Sequence, residues 1–165
     1  MEQISFLSPT EPRIVKSCAF TGHRHLRDDC SFIKIEEALR SLIERGVDTF
    51  YNGMAMGFDL LCAECILSLK KEFPEIRLIC CLPCPNQDRY YSKIDKERFS
   101  KILNEADDKI LLSEGYYNGC MLTRNRYMAD LADVLVTYHR EKTGGTAYTV
   151  QYFRKNFPGR ELILL

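Results

Sequence analysis

The chain carries no excess of either charge: Lys and Arg total 23, Asp and Glu total 23, and the formal net charge is zero. No global field therefore draws it toward nucleic acid or an anionic membrane, and any phosphate site has to be local. Apolar runs approaching the ~20 residues of a membrane span are missing. Met1 to Arg13 lacks the apolar core of a secretory signal, so the expected location is the cytoplasm. No G-x-S-x-G elbow is present, and no serine, cysteine or histidine stands in a pattern that marks an activated nucleophile. Long linkers, low-complexity tracts and internal repeats are absent too. A chain of 165 residues with 45% apolar content can bury one sizeable core but not two ordinary ones. This predicts a flexible arm over residues 1–13 and one domain over residues 14–165.

Cysteine, by contrast, is plentiful. Cys62-x-x-Cys65 and Cys81-x-x-Cys84 are separated by fifteen residues, which is a zinc-ribbon spacing. Ribbon ligands normally come from tight turns, whereas Cys62 and Cys65 sit in the apolar helical run Phe58 to Leu69, beside Ala63, Ile66 and Leu67. Buried free thiols and no metal are therefore expected. Cys18, Cys80 and Cys81 lie in strand-like apolar runs and read the same way.

The stretch around which the chain is organised is Tyr51-Asn-Gly-Met-Ala-Met-Gly-Phe-Asp59, where the short β-rich run Asp48 to Tyr51 gives way to two glycines and a long apolar helix. Gly53 and Gly57 are expected to take φ > 0 and to let a ligand approach the backbone, while the free N–H groups of the helix favour an anion. Asp59 adds a carboxylate in the first helical turn, suited to capping or to sugar hydroxyls. Upstream, the strand Ile14 to Thr21 ends in Thr21-Gly-His-Arg24, which makes Arg24 a candidate phosphate clamp because its fork bonds two oxygens at once. His23 and His25 carry less information.

Ile35, Ala38, Leu39 and Leu42 form the stripe of an amphipathic helix that closes near Gly46. After Phe73-Pro74 comes a mainly apolar strand, Ile76 to Leu82, then a loop, Pro83 to Asp88, in which Gln87 could face a ligand. Tyr91, Ile94, Phe99 and Ile102 mark the apolar side of a charged helix, and Lys109 to Leu112 a fourth strand. The loop Ser113 to Gly119 has adjacent tyrosines, Tyr116 and Tyr117, able to stack on a planar ring. In the helix Cys120 to Leu131, Arg124 and Asn125 interrupt an otherwise apolar face; they bond backbone across a seam or serve a ligand, and the converging strand-end loops favour the ligand. Val134 to Tyr138 is a fifth strand, followed by the glycine turn Thr143-Gly144-Gly145-Thr146, a helix carrying Val150, Phe153 and Phe157, and a last strand, Glu161 to Leu165. Strands alternating with helices require crossovers, which impose a mostly parallel, doubly wound α/β sheet with its glycine turns on one edge. Gly22, Gly53 and Gly144 should then converge, in a site suited to a nucleotide or phosphorylated sugar.

Phe20-Thr-Gly-His-Arg24, Tyr51 to Asp59, Arg124-Asn125 and Gly144-Gly-Thr146 together resemble the SLOG superfamily, named for the DNA-processing (Smf/DprA) and Lonely Guy families, and within it the YpsA-like branch of small bacterial proteins. The resemblance spans Ile14 to Leu165. It implies a single Rossmann-like three-layer domain and a nucleotide-derived ligand on the strand-end edge. The contacts it implies, joined to those read from the loops, are Thr21, Gly22, His23, Arg24, Asn52, Gly53, Gly57, Asp59, Gln87, Arg124, Asn125, Thr143, Gly144, Gly145 and Thr146.

Three activities follow from that likeness. Lonely Guy enzymes split the N-glycosidic bond of a nucleoside monophosphate with an arginine in M-x-x-R-x-x-x-M and a glutamate ending P-G-G-x-G-T-x-x-E. Met121 to Met128 keeps the first pattern, with Arg124 in place. Thr143 to Gln151 departs from the second: Thr143 replaces the proline, Ala147 and Tyr148 the Gly-Thr, and Gln151 the glutamate. Glutamine cannot serve as a base or stabilise an oxocarbenium-like centre by charge, so Arg124 and Asp59 are left as candidate catalytic residues, with Glu114 a further carboxylate. DNA-processing proteins carry S-G-x-A-x-G-I-D, echoed by Asn52 to Asp59, and bind single-stranded DNA, which calls for a basic groove that zero net charge does not provide. The favoured expectation is a nucleotide-binding sensor or regulatory module. Its partners would be a small-molecule nucleotide and a second copy of the chain, with no required cofactor, no metal, no membrane and no nucleic acid.

Overall fold

The computed structural model describes residues 14–165; the arm expected over residues 1–13 lies outside them. Strands β1 (Ser17–Gly22), β2 (Thr49–Asn52), β3 (Arg77–Leu82), β4 (Asp108–Leu111), β5 (Val134–Tyr138) and β6 (Glu161–Leu164) alternate with helices α1 (Phe32–Glu44), α2 (Phe58–Lys70), α3 (Lys93–Glu105), α4 (Cys120–Leu131) and α5 (Gly145–Asn156). The strands form one sheet in the order β4-β3-β2-β1-β5-β6, and every pairing is parallel. This is a Rossmann-like three-layer domain, as the alternation predicts.

A parallel sheet needs cover on both faces, and period-two alternation divides the strands between two cores. Cys18 and Phe20 of β1 join Phe50, Leu39, Leu42, Leu60 and Ile66 on one side. Ala19 joins Cys81, Leu135, Met128 and Phe153 on the other. The first layer is therefore built by α1, α2 and α3, and the second by α4 and α5. Cys62 and Cys65 belong to the first core and Cys81 to the second, so the sheet itself stands between that pair and Cys81. Among the described residues no group of three or more His, Cys, Asp or Glu side chains is placed to hold a metal ion. None of the described helices is long and apolar enough to cross a membrane.

Helices α1 and α3 start at serine caps: Ser31 accepts from the Lys34 N–H at 3.2 Å and Ser92 from the Asp95 N–H at 3.1 Å. The cap at Ser92 moves the start of α3 past Tyr91, which the stripe had included; Ile94 is exposed, and only Phe99 and Ile102 of that stripe are buried. Strand β1 begins three residues later than expected because the N–H groups of Lys16 and Ser17 go to the Asp133 carboxylate, at 2.9 and 3.1 Å. From β1 the chain steps outward through β2, β3 and β4; α4 then carries it back to β5 on the opposite side of β1. The strand order thus reverses between β1 and β5, and a crevice opens beyond the carboxyl ends of those strands.

Candidate functional site

Three helices reach the strand-end edge without a side-chain cap: α2 begins after Gly57, α4 after Gly119 and α5 after Gly144. In α2 the N–H groups of Phe58 and Leu60 go to the carbonyls of His23 and Ala55, both at 3.2 Å, and in α4 that of Cys120 goes to the carbonyl of Tyr117 at 3.1 Å; those at the start of α5 are left for another partner. Gly57 is fixed by geometry, since its φ is 77° and a Cβ there would strike the carbonyl of Arg24. Gly53 differs from its expected conformation. The positive φ falls on Met54, at 63°, because Asn52 accepts from the Met54 N–H at 2.8 Å and donates to the Asp59 carbonyl at 2.8 Å, tying the turn to α2. Glycine is required at 53 for a different reason: a Cβ would lie 2.7 Å from Cζ of Arg124.

In front of these turns lies a cavity of about 300 Å³. Of the residues expected to bind ligand, Thr21, Gly22, His23, Arg24, Asp59, Arg124, Asn125, Thr143, Gly144, Gly145 and Thr146 line it. Gly22 and Gly144 converge there. Gly53 stands behind Arg124, and Asn52, Gly53 and Gly57 support the wall rather than form it. A second cavity of about 400 Å³ shares Arg24, Ala55, Met121 and Arg124 with the first and continues to Met56, Cys84, Gln87, Tyr90, Tyr91 and Tyr116. Glu114 lines a separate depression with Arg89 and Lys96, so it is not a carboxylate of the first cavity. Gln151 is exposed on α5.

Arg124 is only 3% exposed. Its Nη1 donates to the carbonyl of Gly53 and, at 3.4 Å, to that of Cys81, and its Nε donates to Oδ1 of Asn125 at 2.8 Å. Both readings of this arginine thus have a structural counterpart, since it straps the ends of β2 and β3 together and also faces both cavities. Arg24 is exposed and, among the described residues, its guanidinium has no bonded partner. Asp59 is 5% exposed; Oδ2 accepts from the Ala55 N–H at 3.3 Å and Oδ1 has no partner. Burial raises its carboxyl to about 6, against the pull of the Arg124 charge, the Ala55 N–H and the Arg24 charge.

His23, unremarkable in the sequence, orders the far wall. Its Nε2 accepts from the N–H of Arg140 at 2.7 Å and of Glu141 at 3.3 Å, so the ring is neutral there, with its proton on Nδ1. Burial lowers its pKa, helped by His139, Arg27 and Arg140 and opposed by Glu141. The loop leading to Gly144 is held further by Tyr138, whose hydroxyl donates to Asp29 at 2.7 Å, and by Arg140, which lies 4.4 Å over the Tyr138 ring and donates from Nε to Asp29 at 3.0 Å. Asp29 lies more than a hundred residues before Tyr138 and Arg140 and forms no motif with them, so no sequence signal joins the three.

Residues 18–160 match the protein family YpsA, described as the YspA SLOG family. The chain is 28% identical over 149 residues to the uncharacterized SPbeta prophage-derived protein YoqJ of Bacillus subtilis, an alignment covering 80% of this chain and 87% of that one. To UPF0398 protein YpsA of the same organism it is 23% identical over 147 residues, covering 81% and 82%. Among solved structures, DNA processing protein A from Helicobacter pylori, whose single-stranded DNA binding mode that structure concerns, superposes with a TM-score of 0.63 at 21% identity. DprA from Streptococcus pneumoniae superposes with a TM-score of 0.65 at 17% identity. The matches cover 92% and 91% of this chain but only 65% and 50% of those two proteins, and at such identity the likeness is one of fold.

Proposed function

Since the chain belongs to the YpsA family of SLOG proteins, we propose that its strand-end cavity binds the phosphate-bearing part of a nucleotide or nucleotide-sugar, as a sensor or regulatory module. One observation carries this reading: the uncapped start of α5 at Gly144, the unpartnered Arg24 guanidinium and the unpartnered Oδ1 of Asp59 all border a single cavity. Free helix N–H groups and an arginine fork suit phosphate oxygens. A buried carboxylate oxygen suits the donors of a ribose. The test is a thermal shift with AMP, ADP-ribose, NAD and nucleoside monophosphates. Ligand at about a hundred times its Kd adds about 3 kcal/mol, a rise on the order of 5–10 °C for a chain of this size. Arg24→Ala is expected to remove most of it, and silence from every phosphate compound would defeat the proposal.

Asp59 also supports a second reading, hydrolysis of the N-glycosidic bond of a nucleoside monophosphate. A carboxyl raised to about 6 beside Arg124 and Arg24 is poised for proton transfer near neutral pH. Base release from AMP that vanishes in Asp59→Asn would establish turnover; intact AMP after prolonged incubation leaves a binding module.

A further inference from the structure

We propose that the second cavity is a base subsite that selects a planar heterocycle bearing an exocyclic amine, of the adenine or cytosine type; this rests on the phosphate end lying in the first cavity. The argument starts at Gln87, which lines the second cavity and is 9% exposed. Its Nε2 donates to the carbonyl of Gly53 at 2.9 Å and to the hydroxyl of Tyr91 at 3.2 Å, and that hydroxyl donates onward to the carbonyl of Met54 at 2.9 Å. Both amide hydrogens are thereby used, and the orientation of the amide is fixed. Reversing it would set Oε1 against the Gly53 carbonyl, acceptor against acceptor.

Oε1 is left buried and without a partner. A buried acceptor of fixed orientation is satisfied only by a donor, and at the exocyclic position an amine supplies one where the keto oxygen of hypoxanthine or uracil would repel. The surroundings suit the rest of such a ring. Met56, Met121 and Tyr90 give apolar surface, and Tyr116 stands 71% exposed at the same cavity, available as a stacking face. Arg24 and Arg124 belong to both cavities, so a phosphate at the start of α5 and a ring beside Gln87 would lie in one continuous groove.

Titration calorimetry of the full chain with AMP, IMP and ribose 5-phosphate tests the proposal. AMP is expected to bind roughly tenfold or more tighter than IMP, from the lost hydrogen bond and the acceptor clash, and tighter than ribose 5-phosphate; CMP should likewise exceed UMP. Tyr116→Ala, at an exposed position, should bring AMP down toward ribose 5-phosphate. Gln87→Leu should erase the AMP-to-IMP ratio, with circular dichroism reporting whether that variant is folded. Equal affinities for AMP, IMP and ribose 5-phosphate would overturn the base subsite while leaving the phosphate site standing. Failure of all three to bind would remove both.

Discussion

Asp59 is a residue whose charge costs the folded protein stability. Its carboxyl rises from 3.8 to about 6 through burial, so between those values the native chain holds a proton that the unfolded chain has released. Stability therefore falls as pH rises through that window, and above it the full cost remains, about 3 kcal/mol for a rise of this size. Asp59→Asn keeps an acceptor for the Ala55 N–H and removes the charge. It is expected to raise Tm near neutral pH and to flatten the stability profile across the acid window, while weakening any ligand that uses the carboxylate. Thermal unfolding of both proteins over a pH series decides this, and a less stable Asn variant at neutral pH would refute it. Gly53 yields a second prediction. Its carbonyl accepts from both Arg124 and Gln87, and the space for a Cβ is filled by the guanidinium. Gly53→Ala should cost on the order of 1–3 kcal/mol by overpacking, and that cost should largely disappear in an Arg124→Ala background, as a double-mutant cycle by chemical denaturation would show. The glycine was legible in the sequence but its reason was not, because the group that excludes a side chain comes from a helix far along the chain.

At the scale of elements, the segment from Tyr138 to Gly144 is only as well placed as its attachment to β1. His23 accepts two backbone N–H groups of that segment and can do so only when neutral. Tyr138 packs against the ring edge-on, and His139, Glu141, Arg27 and Arg140 are the charged or titratable groups facing it. Its pKa lies below the ordinary 6.5, so the unfolded state binds the proton more readily. The stabilisation is complete above that ordinary value and is lost as pH falls toward the lowered one. Hydrogen exchange should show the protection factors of the Arg140 and Glu141 amides dropping on acidification from about pH 7.5 to about pH 5.5. His23→Gln, which retains an acceptor but cannot titrate, should abolish the drop, and equal profiles in the two proteins would exclude His23 as its cause. Some elements were readable from local signals alone: α4 and β5 begin and end where expected. Boundaries set by a distant partner, such as Asp133 at β1, were not readable, since nothing in Lys16 or Ser17 points to a residue over a hundred positions away.

For the whole molecule, alternation of strand and helix sufficed to require a parallel sheet covered on both faces. It did not supply the order β4-β3-β2-β1-β5-β6, because which strand neighbours β1 is decided by how two cores close rather than by any one segment. That order nevertheless governs the site, for the reversal beside β1 sets Arg24 next to the start of α5. It also separates shared architecture from shared partner. The DprA structures share the fold, yet a single-stranded DNA groove draws affinity from released counterions in proportion to the phosphates it neutralises. With 23 basic and 23 acidic residues this chain has no net positive charge to add to such binding, so a DNA groove would have to be a local basic patch, and the strand-end cavity presents Asp59 beside its arginines. At low ionic strength and low micromolar protein, a labelled oligonucleotide should therefore migrate unshifted, while a nucleotide that raises Tm should keep most of that rise at about 0.3 M salt, because it brings few phosphates to screen and Asp59 and Arg124 of the cavity are buried. A salt-sensitive oligonucleotide shift would overturn that expectation and make a wider basic surface, rather than the strand-end cavity, the functional one.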